Sequence, residues 1–242
     1  MSDTCTECEG SLRTRDDISV SLVQSVGDDA MICQAARVST LGTESLGGEE
    51  SSGLIKFLMN NRHGSPFEHG SMTFLVEAPI FVFREWHRHR AGWSYNETSG
   101  RYKELDPVFY VPSSERPLVQ EGKPGAYSLV KGSRSQWMSA YNLLNESYEE
   151  SWDAYQTLLD IGVAKEVARL CLPVGIYSSM YATCNPRSLM HFLSLRTKSA
   201  ESTFPSYPMH EIADAAGQME RIFADLYPLT YQAWNNNGRV AP

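Results

Sequence analysis

The spacing of apolar residues changes period several times along the chain, and each change marks an element. Ile18–Val26 alternates apolar and polar residues, which predicts a strand. Ala30–Val38 reads as a short helix carrying Arg37, and the Gly-, Ser- and Glu-rich stretch Thr40–Ser52 as a loop. Gly53–Asn60 predicts a helix with Leu54, Phe57 and Leu58 on one face, broken by His63-Gly64-Ser65-Pro66. Ser71–Val76 predicts a strand. Pro79 is then placed as the first residue of a helix running to about Arg88, because a proline inside a central strand removes a ladder bond. Asp106–Pro117 reads as extended chain and Gly122–Ser135 as a polar surface loop. The clearest helix follows: Trp137, Tyr141, Leu144, Tyr148, Trp152, Tyr155 and Leu159 recur at three- and four-residue intervals until Gly162. Val163–Cys171 predicts a second helix stopped by Pro173, Ile176–Thr183 a strand, and Pro186–Arg196 and Met209–Leu226 two more helices. Residues 1–16 are polar and read as a disordered tail. With no internal repeat and no long linker, residues 17–242 are expected to form one α+β domain.

Composition narrows the function classes. No apolar run reaches the roughly 20 residues that span a bilayer, and the polar start lacks a secretory h-region, so a cytoplasmic protein with no membrane partner is expected. The net charge of −8 is a poor match for duplex nucleic acid. The basic residues are 15 Arg and 6 Lys, and Arg makes planar, bidentate contacts with phosphates and carboxylates. An acidic protein with local Arg clusters suggests a small anionic ligand. Five cysteines, an odd count, argue against a disulfide framework. Cys5 and Cys8 form a C-x-x-C with no second pair to complete a zinc site, which fits a plain tail.

Two segments concentrate polar chemistry: Asn61 to His69, and Arg84 to Tyr102. Four of the six histidines lie between positions 63 and 89, and four arginines between 84 and 101. A metal site of His63, His69, His87 and His89 is one reading. It is disfavoured because His87 and His89 do not share a helix face and Arg88 and Arg90 would repel a cation; no metal is expected. A solvated helix end with packed histidines is a second reading. A third is an anion pocket in which arginines grip phosphates while Ser99, Gly100 and nearby backbone N–H groups form a tight turn.

Arg88-His89-Arg90, an eight-residue spacer and Ser99-Gly100-Arg101-Tyr102 together resemble the signature of flavin-dependent thymidylate synthases. His63 to His69, Glu166-Val167-Ala168-Arg169 with Leu172-Pro173, and Asn185-Pro186-Arg187-Ser188-Leu189 through Arg196 resemble further motifs of that family, in family order. The resemblance implies an α+β fold with mixed helices packed on a small antiparallel sheet, in a homotetramer whose active sites are shared between subunits. It implies FAD as cofactor, held by Ser65, Arg88, His89, Arg90, Glu97, Asn185, Pro186, Arg187 and His191. It implies dUMP as substrate, bound by Glu85, Trp86, His87, Arg88, Glu97, Thr98, Ser99, Gly100, Arg101, Arg169 and Arg196. It further implies 5,10-methylenetetrahydrofolate as carbon donor and NADPH as reductant. Arg196, charged at any working pH, would stabilise negative charge on the pyrimidine as N3 loses its proton.

Other readings of single residues stay open. Arg169 could cap a helix C-terminus, Arg187 and Arg196 could be surface residues, and Ser99 an ordinary turn serine, since no base partner for a nucleophile is evident. Many relatives have a seven-residue spacer, which leaves the register of residues 91–95 open; the segment 197–208 is likewise unaligned. Two competing classes remain: a flavin- or nucleotide-binding protein without synthase activity, and an RNA-binding protein using aromatic and Arg residues, against which the net charge speaks.

Overall fold

In a computed structural model that describes residues 12–123 and 126–242, the chain runs through eight strands and eight α-helices. In order these are β1 (Arg13–Arg15), β2 (Ser19–Val26), α1 (Asp29–Leu41), α2 (Ser52–Asn60), β3 (Ser71–Pro79), α3 (Ile80–Trp86), β4 (Trp93–Glu97), β5 (Val108–Tyr110), β6 (Val119–Lys123), β7 (Ala126–Val130), α4 (Arg134–Asp160), α5 (Lys165–Ala168), β8 (Tyr177–Cys184), α6 (Pro186–Arg196), α7 (His210–Leu226) and α8 (Pro228–Asn236). Short 3₁₀ turns occupy Gly42–Ser45, Ser65–Glu68 and Arg169–Cys171. The fold is α+β with small sheets. Two compact units share the described residues: 12–17, 78–81 and 98–178 in the first, and 18–77, 82–97 and 179–242 in the second. Three of the five borders fall inside β3, α3 and β8, one falls between β1 and β2 and one at the end of β4, so no composition shift announces them.

The second unit is built on a sheet of order β2-β3-β8-β4. β2 pairs antiparallel with β3, with a bulge between Leu22 and Gln24, and β4 pairs antiparallel with β8. Period-2 alternation in β3 buries Met72, Phe74 and Val76 completely, the side-chain geometry of a strand with one face on a core. Ile32, Ile55, Met59, Met219, Phe223 and Trp234 from the helices complete that core. One buried carboxylate joins its two ends. Asp29 Oδ2 accepts from Leu229 N at 2.7 Å, and Oδ1 accepts from Thr230 N at 3.0 Å and Thr230 Oγ1 at 2.6 Å. It thereby caps α8, whose first N–H groups have no partner of their own.

The first unit is organised by α4. Ser133 and Gln136 form a reciprocal capping box at its start. At its end Gly162 takes φ +84°, and Gly162 N and Val163 N bond back to Leu159 O and Leu158 O, the Schellman pattern. Tyr148, Trp152 and Tyr155 pack from α4 against Phe109, Val111, Ala168 and Ile176. β1 lies parallel to β5, and β6 and β7 form a hairpin.

Several expectations are corrected. Of the expected tail, residues 1–11, with Cys5 and Cys8, lie outside the described residues, while Arg13–Arg15 form β1. Pro79 closes β3 instead of opening the helix. On α2 the buried face is Ile55, Leu58 and Met59, and Phe57 is 53% exposed. The expected loop Gly122–Ser135 holds most of the β6–β7 hairpin, and Trp93–Glu97, where no element was expected, is strand β4. Of Val163–Cys171 only Lys165–Ala168 is α-helical, since α5 starts after Ala164 and gives way to 3₁₀ at Arg169. Helix α8 was not anticipated.

Candidate active site

In the second unit, the turn between α3 and β4 carries the Arg-His-Arg run, and aromatic packing fixes both its ends. Trp86 is fully buried, with its ring 4.9 Å from Phe192 and 6.4 Å from Trp93. His89 N bonds to Trp86 O at 2.9 Å, Tyr95 Oη donates to His89 O at 2.6 Å, and Ser188 Oγ donates to Ala91 O at 2.9 Å. Gly92 adopts φ +67°, and a Cβ there would stand 2.2 Å from Ser188 Oγ. Only glycine meets both demands. Arg88 and Arg90 extend from this pinned turn, exposed, and their side chains make no hydrogen bond or ion pair among the described residues.

Helix α6 faces the turn. Asn185 caps it, accepting from Ser188 N at 2.8 Å, and Pro186 takes the first helical position, where no N–H is missed. Arg187 donates from Nε to Pro242 O at 2.6 Å and pairs with Glu68 through Nη1. Gly64 makes room for this guanidinium, because a Cβ would lie 2.5 Å from Arg187 Nε. Between the turn and the helix start opens a cleft of about 660 Å³, lined by Glu68, Arg88, His89, Arg90, Ala91, Gly92, Trp93, Asn185, Arg187, Ser188 and His191.

The charge in this cleft resides on arginine. Burial, then the Arg196 and His191 charges, lower the His89 pKa to about 4. Burial, then Arg187 and Arg62, lower that of His191 as well. Both rings are therefore neutral at pH 7. Arg196, at the last turn of α6, donates from Nε to His89 Nε2 at 3.0 Å, from Nη1 to the Glu85 carboxylate and from Nη2 to Glu85 O at 3.2 Å. With Nε2 accepting, the His89 proton sits on Nδ1. The Arg196 side chain is 15% exposed, and one N–H on each Nη remains available for a ligand.

Of the residues assigned to FAD, Arg88, His89, Arg90, Asn185, Arg187 and His191 line the cleft. Pro186 is buried as the first residue of α6, Ser65 is exposed on the 3₁₀ turn after Gly64, and Glu97 is exposed at the end of β4 opposite Met180. Of the residues assigned to dUMP, Glu85 holds Arg196, Trp86 is core, and His87 is exposed with its ring 5.1 Å from that of Tyr95. Thr98 begins the segment of the first unit that carries the remaining ones. There Tyr102 N and Lys103 N both bond to Ser99 O at 3.1 Å, and Arg101 N to Ser99 Oγ at 3.3 Å. Arg101 pairs with Glu166 at 3.0 Å, and Gly100 is buried where a Cβ would meet Arg169 Cδ at 3.3 Å. Ser99, Gly100, Arg101 and Arg169 thus form one cluster. Sequence reasoning gave no role to Glu68, Gly92 or Ser188. Glu68 and Ser188 lay within the quoted motifs, but their partners are distant in sequence.

An α+β scaffold that sets two arginines with unpaired guanidinium groups and a helix N-terminus around neutral histidines and the Trp93 ring presents chemistry suited to a phosphorylated small molecule. The family model described as "Thymidylate synthase complementing protein" matches residues 21–229. The chain is 56% identical over 233 residues to a flavin-dependent thymidylate synthase of Streptomyces avermitilis, covering 94% of this chain and 95% of that one. It is 52% identical to one of Tropheryma whipplei, with 93% and 95% covered. The solved UMP/dUMP methylase PolB of Streptomyces cacaoi, bound with 5-Br dUMP, superposes with a TM-score of 0.90 at 49% identity over 96% of this chain and 100% of that one. The chain belongs to the flavin-dependent thymidylate synthase family. No helix among the described residues is long and apolar enough to cross a membrane.

Proposed function

We propose that this chain methylates dUMP to dTMP in a flavin-dependent reaction, with FAD as cofactor, 5,10-methylenetetrahydrofolate as carbon donor and NADPH as reductant. The observation that carries the reading is the cleft between the Arg88-His89-Arg90 turn and the capped start of α6, in a chain this similar to flavin-dependent relatives. The cleft's chemistry fits a flavin dinucleotide. Arg88 and Arg90 have free guanidinium groups for a diphosphate, and the positive dipole end of α6 adds to them. Neutral His89 and His191 and the Trp93 ring offer uncharged surface for ring systems. Asn185 and Arg187 shape one wall, with Pro186 fixing the helix start. Ser65 and Glu97 would reach the cofactor from outside this cleft. When bound, FAD supplies the hydride chemistry that side chains cannot provide.

The dUMP phosphate and sugar would be held by Glu97, Thr98, Ser99, Gly100 and Arg101 with Arg169, and Glu85, His87 and Arg88 would approach from another subunit. Trp86, being buried, would contribute packing and backbone. Arg196 would face the pyrimidine with its remaining N–H groups, stabilising negative charge at N3 and so raising electron density at C5. Glu85 and His89 hold that guanidinium flat and fixed, so little reorganisation accompanies charge development. The two residue groups would complete one site in a cytoplasmic homotetramer, drawn from different subunits.

Two measurements test the reading. The purified protein should show flavin absorbance at near-stoichiometric occupancy, and added dUMP should shift those bands. Light scattering should give a tetramer. A colourless protein that takes up no FAD would refute the cofactor assignment, and a fully active monomer would refute the shared site.

A further inference from the structure

We propose that Arg239, through Thr197, is a positioning residue for Arg196; the inference rests on the catalytic role proposed for Arg196. Thr197 directly follows Arg196, is 7% exposed, and ends α6 in extended conformation. Its N and Oγ1 both bond to Leu193 O, at 2.9 and 2.7 Å. Arg239 Nη2 donates to that same Oγ1 at 2.7 Å, and Ser206 Oγ donates to Thr197 O at 2.7 Å. The turn from which Arg196 departs is therefore gripped on both sides.

Arg239 is itself held without slack. It is 5% exposed, makes a two-pronged pair with Glu220 at 2.7 and 2.8 Å, donates to Asn235 Oδ1 at 2.8 Å and stacks 4.0 Å from the Trp234 ring centroid. This is a costly way to fill space. Its Nε is buried with no partner among the described residues, and its φ of +58° is unfavourable for any side chain but glycine. A buried ion pair often adds nothing over an apolar pair of the same size. What the arrangement does supply is a fixed donor at Thr197 Oγ1, one residue from the guanidinium that engages Glu85 and His89.

The test uses Thr197→Val, Thr197→Ser and the double variant Glu220→Met with Arg239→Met. Thr197→Val keeps the volume and the Glu220–Arg239 pair but removes the hydroxyl. Its kcat for dTMP formation should fall about tenfold, since small misplacements of a catalytic group are costly, with KM for dUMP and flavin content nearly unchanged. Thr197→Ser keeps the hydroxyl and should turn over near the wild-type rate. The double variant replaces the pair with apolar bulk, at the cost of the Tyr231 Oη bond to Glu220; it should stay folded and still lose kcat like Thr197→Val. A readout independent of turnover is the NMR titration of His89 in flavin-free protein. Arg196 and His191 are the charges that bear on this ring, so a displaced Arg196 should raise the His89 midpoint. Should Thr197→Val fail to fold, the double variant decides alone. Wild-type kcat and an unmoved His89 midpoint in the folded variants would overturn the proposal, as would Thr197→Ser losing activity equally. If wild-type protein forms no dTMP, the functional reading fails, while the His89 midpoints still test the positioning.

Discussion

Acidification should weaken this protein through His89, and the size of the effect can be worked from its surroundings. The folded ring titrates at about 4, against 6.5 for a free one, chiefly because burial disfavours the charged form and secondarily because Arg196 and His191 repel it. Between these two values the unfolded chain takes up a proton that the folded chain refuses, so stability rises with pH across the window. The contribution of the neutral ring is complete above about pH 6.5 and is lost as pH falls toward 4. At about 1.4 kcal/mol per pKa step, and discounted for partial solvent screening, the expected loss is about 2 kcal/mol. The assay compares wild type with His89→Asn, whose amide oxygen can still accept from Arg196 Nε. Urea unfolding of flavin-free samples at about pH 7.5 and about pH 4.5 gives the difference. Wild type should lose about 2 kcal/mol more than the variant over this range. His191 shifts in the same direction but is common to both proteins. Equal pH slopes would refute the account of a buried, neutral His89.

Three further outcomes are expected. Arg90→Ala should weaken flavin retention by about 10- to 100-fold, the worth of a charge-assisted contact, without lowering the melting temperature of flavin-free protein, since the Arg90 side chain has no internal partner among the described residues; full occupancy after dialysis would remove it from the site. Arg196→Ala and Arg196→Lys should both lose on the order of 10²-fold in kcat, because lysine cannot serve Glu85 and His89 together; steady-state dTMP formation with flavin content measured on each sample checks this. Gly92→Ala should cost at least about 2 kcal/mol, because the new methyl meets Ser188 Oγ on a backbone that disfavours it; an unchanged denaturation midpoint would show that the turn can rearrange.

How much of this could be read from sequence depended on how local each signal is. Helix α4 and helix α6 were visible because capping residues and apolar spacing lie within a few positions of one another. The β6–β7 hairpin was not, since Gln120, Glu121, Gly122 and Lys123 are all exposed and leave no period-2 contrast. Strand β4 was hidden for a similar reason: Ser94, Asn96 and Glu97 face solvent, and its identity comes from pairing with β8. Helix α8 is short and takes its cap from Asp29, some 200 positions earlier in the chain. In the site, the Arg-rich turn and the α6 start were legible as motifs. The bonds that join them were not. Arg196 reaches Glu85 and His89 across 111 and 107 positions, and Arg187 reaches Glu68 across 119, separations at which no residue pattern survives. Spacing cannot show that Arg239 returns to the end of α6, because the fold alone brings Thr197 and Arg239 together.

The central claim is that this chain makes dTMP with the help of a bound flavin. The most direct measurement is dTMP formation by the purified protein from dUMP, 5,10-methylenetetrahydrofolate and NADPH, run on flavin-loaded and flavin-stripped samples. The loaded sample should form dTMP and the stripped one none, with recovery when FAD is added back. No dTMP from a folded, fully flavin-loaded protein, or equal turnover with and without flavin, would contradict it.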